Sequence, residues 1–593
     1  MSSTVEEGTS GTIEHGGALV GQVLAAHGVT HLYNLCGGHI SPILQGAKHH
    51  GLTVVDVRDE VSAAFAADAV SRMTGIPGVC AVTAGPGVTN TVTAVKNAYE
   101  AQQPVIILGG ATATVLRGRG SLQDIDQISL MKTVTKWSAR LNKVGDIVPM
   151  LNRAFKEATE GVPGPVFLEL PVDVLYPEHI VEEWYLKESG VDKMSGLIGQ
   201  AAQLAMKGYL KRQFHMPHIP VPRRPHIRMN LGSSVDGWLS RVAEAVQGAK
   251  QPVLVVGNQA MVSLTPAEAD DLADAVRRLG MPTFLGGSSR GLLGRHSDVQ
   301  FRHKRTAALK KADLVIIAGF PFDFRLGYGQ KINRDATLVS INLDATALKK
   351  NRTPTMPVQT HPGRFLVQLV DRVKGTPDWS AWFSTLRERE GARDAEIVAS
   401  ARSEGPMVDP IHLFLKIEEA MADDSVIIVD GGDFVATGSY IVRPRRPLSW
   451  LDPGVFGTLG VGGGFALGAA SARPDAEIWL FYGDGSSAYS LAEFDTYIRS
   501  GFAPIAVIGT DASWQQIARD QIKILGDAVG TVLRRTDYHK VAEGYGGHGI
   551  LVTDPAQIDD ALAEAKRVAA SGTPVCINVH LATSDFREGS ISI

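Results

Sequence analysis

Short, unbroken runs of aliphatic and β-branched residues recur along this chain in three separate blocks, and they restrict it to parallel sheets covered on both faces. A strand with one face in water alternates apolar and polar residues, whereas a strand buried on both faces need not. The first block, about residues 16–175, carries such runs at 79–83 and 104–108. The second carries them at 252–257, 314–318 and 338–342, and the third at 426–430, 478–482 and 505–509. Helix-length segments separate the runs, so the expected fold class is α/β, with three doubly wound parallel-sheet domains. The 593 residues agree, since they exceed what one core serves.

The 58 Lys and Arg nearly balance 62 Asp and Glu, which leaves no electrostatic reason to expect nucleic acid or a membrane as partner. Cys36, Cys80 and Cys576 are too few and too scattered for a metal cluster or a disulfide framework, so a reducing, cytoplasmic setting is expected. Residues 1–11 read as a polar tip rather than a signal peptide, and no apolar run is long enough to span a bilayer. Two linkers are expected, at 181–230 and 375–406. In the first, Lys207, Lys211, Arg212, Arg223, Arg224 and Arg228 stand among four prolines, with no acid between residues 207 and 230. The stretch reads as a solvated strap, or alternatively as a cationic strip for a phosphate-bearing substrate or a neighbouring subunit.

Chemistry concentrates at the ends of the apolar runs. The run 478–482 leads into Gly483-Asp484-Gly485-Ser486-Ser487, and the run 505–509 leads to Thr510-Asp511-Ala512-Ser513. Glycines let backbone amides approach a diphosphate, and two strand-end carboxylates suit Mg²⁺, which takes oxygen ligands and completes its shell from phosphates. Near the other end of the chain, Arg58-Asp59-Glu60 enters an alanine-rich helix, where a carboxylate would be poorly solvated. The loop Gly85-Pro-Gly-Val-Thr-Asn90 follows the run 79–83. Gly457-Thr-Leu459-Gly460 opens a helix of small residues, and its glycines compete as a dinucleotide fingerprint, although Asp452-Pro-Gly454 rather than a strand precedes them.

In this order, the motifs resemble those of the thiamine-diphosphate (ThDP) enzymes. The resemblance implies a pyrimidine-binding domain over 12–180, a middle nucleotide- or CoA-binding domain over 231–374, a diphosphate-binding domain over 407–582 and a C-terminal lid over 583–593. It implies that Glu60 contacts the cofactor's aminopyrimidine and that Leu459 wedges it into a bent shape, with the Gly457 carbonyl accepting from its amino group. Asp484, Asp511 and the Ser513 carbonyl would hold Mg²⁺. Asn90, Gly432, Asp433, Gly483, Gly485, Ser486 and Ser487 would complete the cofactor site. Both asparagines of the family's metal motif are replaced, by Thr510 and Asp511. A homodimer at least, with dimers pairing into a tetramer, is also implied.

Within that family the chain looks like the branch of acetolactate synthase, oxalyl-CoA decarboxylase and 2-hydroxyacyl-CoA lyase, and most like bacterial lyases acting on short branched substrates such as 2-hydroxyisobutyryl-CoA. Gln123 lies in a segment that borders substrate in that branch. The implied reaction splits a 2-hydroxyacyl-CoA thioester into formyl-CoA and an aldehyde or ketone. Glu493 is the candidate base for the 2-hydroxyl, and His39 is a substrate contact whose competing reading is structural. Arg325, Lys349, Lys350 and Arg352 are candidates for the CoA phosphates, and ADP is a candidate ligand of the middle domain. The rival readings are a flavin-binding acetolactate synthase, an oxalyl-CoA decarboxylase and a non-catalytic assembly subunit.

Overall fold

The computed structural model describes residues 15–190, 194, 196–215, 235–375 and 377–588. The expected readings of residues 1–11, of the prolines with Arg223, Arg224 and Arg228, and of residues 589–593 lie outside them. Three six-stranded sheets follow one another. The first contains β1 (His31–Leu35), β2 (Thr53–Asp56), β3 (Gly78–Val82), β4 (Val105–Ala111), β5 (Trp137–Arg140) and β6 (Val166–Pro171), in the order β2-β1-β3-β4-β6-β5. The middle sheet contains β7 (Pro252–Val256), β8 (Thr283–Leu285), β9 (Gln300–Phe301), β10 (Leu314–Ala318), β11 (Thr337–Asn342) and β12 (Met356–Gln359), in the order β12-β11-β10-β7-β8-β9. The third contains β13 (Val426–Asp430), β14 (Trp450–Leu451), β15 (Ile478–Gly483), β16 (Ile505–Thr510), β17 (His548–Val552) and β18 (Val575–His580). Its order, β14-β13-β15-β16-β18-β17, repeats the connectivity of the first sheet.

The expected fold class is therefore present in all three blocks. Central strands such as β3, β4, β7, β10 and β13 are buried at every position, which is why their sequences do not alternate. The edge strand β5 is half-buried throughout.

Among the described residues, both expected linkers are largely helical. The helix Glu178–Ser189 enters the first one, and the helix Gly196–Gln213, carrying Lys207, Lys211 and Arg212, follows. Asp173 anchors both to the first domain, accepting from Tyr185 Oη and, at 2.7 Å, from Gln213 Nε2. The second is occupied by the helix Ser380–Ser400. Here Trp379 and Trp382 are buried, with indole N–H groups donating to Ala249 O at 2.9 Å and Pro252 O at 3.0 Å, so the segment belongs to the middle domain. Of the expected lid, residues 583–588 lie against the helix Asp433–Ile441. Phe586 meets Tyr440 edge-on at 5.9 Å, and Arg519 Nη1 donates to Arg587 O at 3.1 Å.

The first and third domains share one continuous core. Its centre is the crossing of the helices Glu60–Thr74 and Val461–Ala472, where Phe65 and Phe465 pack edge-to-face at 5.7 Å. A Cβ on Gly464 would stand 2.6 Å from both Phe65 Cβ and Ser62 O, so only glycine lets the helices approach this closely. Beside them, Arg72 pairs with Asp68 at 2.8 Å in full burial and donates to Asp452 O at 2.9 Å. Gly464→Val is expected to push the helices apart and cost about 1–3 kcal/mol or more. Thermal unfolding would read this as a lowered Tm, and an unchanged Tm would show that the crossing tolerates a side chain.

Candidate active site

The third sheet brings two acids together at the carboxyl ends of adjacent strands. Asp484 follows β15 and is almost fully buried. Its Oδ1 accepts from Gly485 N at 2.8 Å, and its Oδ2 accepts from Ala512 N at 2.7 Å. Asp511 follows β16, and its Oδ1 accepts from Ser513 N at 3.1 Å. Ala512 between them adopts a left-handed φ of 62°, which turns its amide toward Asp484. Burial pushes the Asp484 carboxyl up to about 6, against the pull of those backbone donors. Burial and then the charge of Asp484 push Asp511 up to about 7. Two neighbouring carboxyls, both raised by burial and one of them further by the other's charge, are short of positive charge, which is the condition a divalent cation relieves. These residues fit Mg²⁺, with the Ser513 carbonyl as the expected further oxygen. Thr510, at a family asparagine position, instead donates from its hydroxyl to Asn578 Oδ1 at 2.6 Å and ties β16 to β18.

The surrounding cradle is held by Asp430, at the end of β13. One carboxylate oxygen accepts from Gly460 N at 3.1 Å and the other from Gly462 N at 2.8 Å, fixing the loop that presents Gly457 and Leu459. Its backbone carbonyl accepts from Ser486 Oγ at 2.6 Å, fixing the Gly483–Ser487 loop as well. Ser487 Oγ donates to Asp484 O at 2.8 Å. Gly485 lies under Trp514, whose ring would be 2.4 Å from an added Cβ. Gly432 faces Gln516, and the carboxylate of Asp433 is ion-paired with Arg519, so Asp433 is committed to the protein rather than free for a cofactor.

The first domain supplies a second cluster. Glu60 is buried at the start of its helix, and its Oε2 accepts from Asn90 Nδ2 at 2.9 Å. Gly87 lies against Glu60 and Thr83, and Thr83 Oγ1 meets His39 Nδ1 at 3.2 Å. Gln123, in a left-handed φ of 62°, packs on Gly85. Gln127 supports that turn. Its Oε1 accepts from Gly85 N at 2.8 Å, and its Nε2 donates to Gly110 O at 3.1 Å and Glu169 Oε2 at 3.2 Å. Glu60, Asn90, His39 and Gln123 are thus gathered at the ends of β1–β4.

Glu493 comes to that cluster from the third domain. It is 1% exposed, and its carboxylate accepts from Arg58 N at 3.1 Å and Thr496 Oγ1 at 2.6 Å. Burial raises its pKa. It clamps the segment leading into Glu60 to the third domain, which sets this carboxylate, the expected base for a hydroxyl, close to the Glu60 cluster.

The expected CoA cations are also otherwise engaged. Arg325 grips Asp323 at 2.5–3.1 Å, and Arg352 donates to the carbonyls of Gly329, Ile332 and Asn333 at 2.7–2.9 Å. Lys349 and Lys350 are exposed on a short turn. The crevice of the middle domain, where the sequence places ADP, is filled by Phe320. Instead, a cavity of about 800 Å³ opens between the middle and third domains, lined by Arg290, Arg302, Lys304, Arg305, Lys310 and Arg393. Burial, then Arg443 and Arg290, push the Arg302 guanidinium down to about 10. The buried Arg290 Nε has no protein hydrogen-bond partner among the described residues. Five of these six cations lie within residues 290–310 and the sixth is Arg393, and single cations gave no sequence signal.

Models of the thiamine pyrophosphate enzymes match all three domains: the N-terminal TPP-binding domain over residues 14–130, the central domain over 239–369 and the C-terminal TPP-binding domain over 430–579. The 2-hydroxyacyl-CoA lyase 2 of Danio rerio is 45% identical over 586 residues, covering 98% of this chain and 93% of that protein. The chain belongs to the 2-hydroxyacyl-CoA lyase family of ThDP enzymes. The human 2-hydroxyacyl-CoA lyase 2 is 43% identical over 98% of this chain and 92% of its own length. A probable acetolactate synthase of Mycobacterium bovis is 30% identical over 95% of each chain. In this lyase family the ThDP-binding domains coincide with the two clusters above, and the central domain coincides with the middle sheet.

The acid pair sets a pH dependence. Because both folded-state pKa values lie above the ordinary 3.8, the folded chain holds protons that the unfolded chain has lost between about pH 4 and about pH 7. Without a cation, the pair's contribution to stability therefore falls as pH rises through that window. Stabilisation by added Mg²⁺ and ThDP is expected to be small below pH 6 and to grow through pH 7, read as a Tm shift. Asp511→Ala should leave the cofactor-free Tm unchanged or raised and should abolish the shift. A shift retained in that variant would remove Asp511 from the cation site.

Proposed function

We propose that this chain is a ThDP- and Mg²⁺-dependent carbon–carbon lyase that splits a 2-hydroxyacyl-CoA into formyl-CoA and a ketone or aldehyde. The observation that carries the substrate class is the basic cavity beside the cofactor domain. CoA bears a diphosphate and a 3′-phosphate, and the six cations around an 800 Å³ cavity suit them; burial holds three of these, Arg290, Arg302 and Arg305, below the ordinary guanidinium pKa. The relatives named 2-hydroxyacyl-CoA lyase 2 support the same class. On the sequence resemblance we place the acyl group among short branched ones, such as 2-hydroxyisobutyryl-CoA.

When bound, ThDP would supply the electron sink for breaking the bond next to the carbonyl. The chain's own groups orient and shuttle protons. Asp484, Asp511 and the Ser513 carbonyl would hold Mg²⁺, and the amides of the Gly483–Ser487 loop would meet the diphosphate. Glu60 would hold a proton at the aminopyrimidine, and Leu459 would set the cofactor's bend. Gln123 and His39 would border the substrate. Burial lowers the pKa of His39, which favours a neutral imidazole able to accept a proton. Residues 583–588, resting on Tyr440 at the cavity rim, would help to exclude water.

Three unpaired cysteines, two of them buried, fit a reducing cytoplasm. The well-exposed Ile517, Ile524, Leu525, Val529 and Val532 near the cofactor loop support assembly into a homodimer at least, and into a tetramer by pairing of dimers.

Incubation with ThDP, Mg²⁺ and a panel of 2-hydroxyacyl-CoA esters should yield formyl-CoA, identified by mass. Acetolactate from pyruvate would favour the synthase reading, which the 30% identical relative supports, and CO₂ from oxalyl-CoA would favour the decarboxylase. Glu60→Ala should bind ThDP and lose turnover, and full activity in that variant would overturn the catalytic reading. Lys304→Ala should raise KM for the CoA ester roughly tenfold with kcat little changed, the size of one charge-assisted hydrogen bond. An unchanged KM would place CoA elsewhere.

A further inference from the structure

The middle sheet has the strand order common in dinucleotide-binding domains, with its switch point between β7 and β10. Such sheets hold a nucleotide outside the carboxyl ends of the strands, on a glycine floor, against a free helix N-terminus, with an acid near the end of the second strand. The glycines are present: Gly257 follows β7, Gly286 follows β8 and Gly319 follows β10. What sits on them is the next residue of the chain. The Phe320 ring crosses the switch point, with Cδ2 2.6 Å from the position of a Cβ on Gly257 and Cε2 2.6 Å from that on Gly286. It is 4% exposed. The Arg325 guanidinium stacks 4.5 Å from the ring centroid, held there by Asp323, and Arg305 covers it at 5.7 Å.

The other two parts of a nucleotide site are also taken or absent. The helix Pro266–Leu279 closes its own N-terminus with a capping box between Thr265 and Glu268. The turn after β7 is spent on the first domain, with Asn258 Nδ2 donating to Ala101 O at 2.9 Å and Gln259 Nε2 donating to Gln102 Oε1 at 2.6 Å. No acid stands in Leu285-Gly286-Gly287-Ser288-Ser289 after β8.

We propose that Phe320 is a built-in plug that excludes a flavin or other dinucleotide from the middle domain, whose glycine floor now seats a side chain and whose β7 turn bears on the first domain. This does not rest on the CoA reading, since the plugged crevice is a different place from the basic cavity. It sets aside ADP at the switch point and removes the flavin that a synthase reading would require.

The test is flavin retention. Wild-type protein incubated with FAD and desalted should carry no flavin absorbance. Phe320→Gly, which bares the floor, should retain FAD, with affinity raised roughly tenfold or more by fluorescence titration. One flavin per wild-type chain would overturn the proposal. So would a variant with native far-UV circular dichroism that binds FAD no better than wild type. Should Phe320→Gly fail to fold, the wild-type result alone decides whether the crevice is closed. Formyl-CoA production, assayed without FAD, is read separately, so failure of one reading does not disguise failure of the other.

Discussion

The close crossing of two helices, one beginning at Glu60 and the other at Val461, is the contact on which the rest of the molecule depends. It works because glycine replaces a side chain at the point of nearest approach, so backbone meets backbone and the first and third domains become one core. Each helix begins at a functional loop. Glu60 opens one, and the Gly457–Gly460 turn leads into the other. Packing the two helices therefore fixes both loops. Glu493 secures the arrangement through the amide of Arg58, two residues ahead of Glu60. An acid legible in the sequence as a catalytic candidate is also part of the joint.

Charge burial organises the chemistry in two opposite ways. At the ends of β15 and β16, negative groups crowd together with too few donors, which leaves room for a cation. Between the middle and third domains, guanidinium groups crowd together with too few acceptors, which leaves room for an anion. Arg302 shows how such a deficit is tolerated. It donates to the carbonyls of Tyr440, Ile441 and Val442, at the C-terminal end of the helix Asp433–Ile441, where the helix dipole is negative. Part of its charge is answered by the protein, and the remainder faces the cavity.

Much of this was legible in the sequence, and the reason is local. Asp484, Asp511 and Glu60 each stand where an apolar run ends, so strand, turn and carboxylate are read from a dozen neighbouring residues. The α/β class and the sheet domains follow from the same runs. Long-range pairings were not legible. Asp430 also ends an apolar run, yet its work is done on amides 30 and 32 residues away. Arg352 sits in a basic run typical of a solvated face, but three backbone carbonyls absorb its donors. The helix Ser380–Ser400 passed for a linker because the carbonyls that receive its tryptophans lie some 130 residues earlier. Thr510 departs from the family pattern for a reason visible only across the sheet, at Asn578.

The guanidinium of Arg519 touches two things at once: the carboxylate of Asp433, whose charge helps to raise the pKa of Asp511, and the backbone of Arg587 close to the chain terminus. A shift of the backbone at Arg587 would therefore pull on the same side chain that screens Asp433, so a disturbance some 75 residues along the chain from Asp511 reaches the charge balance of the acid pair.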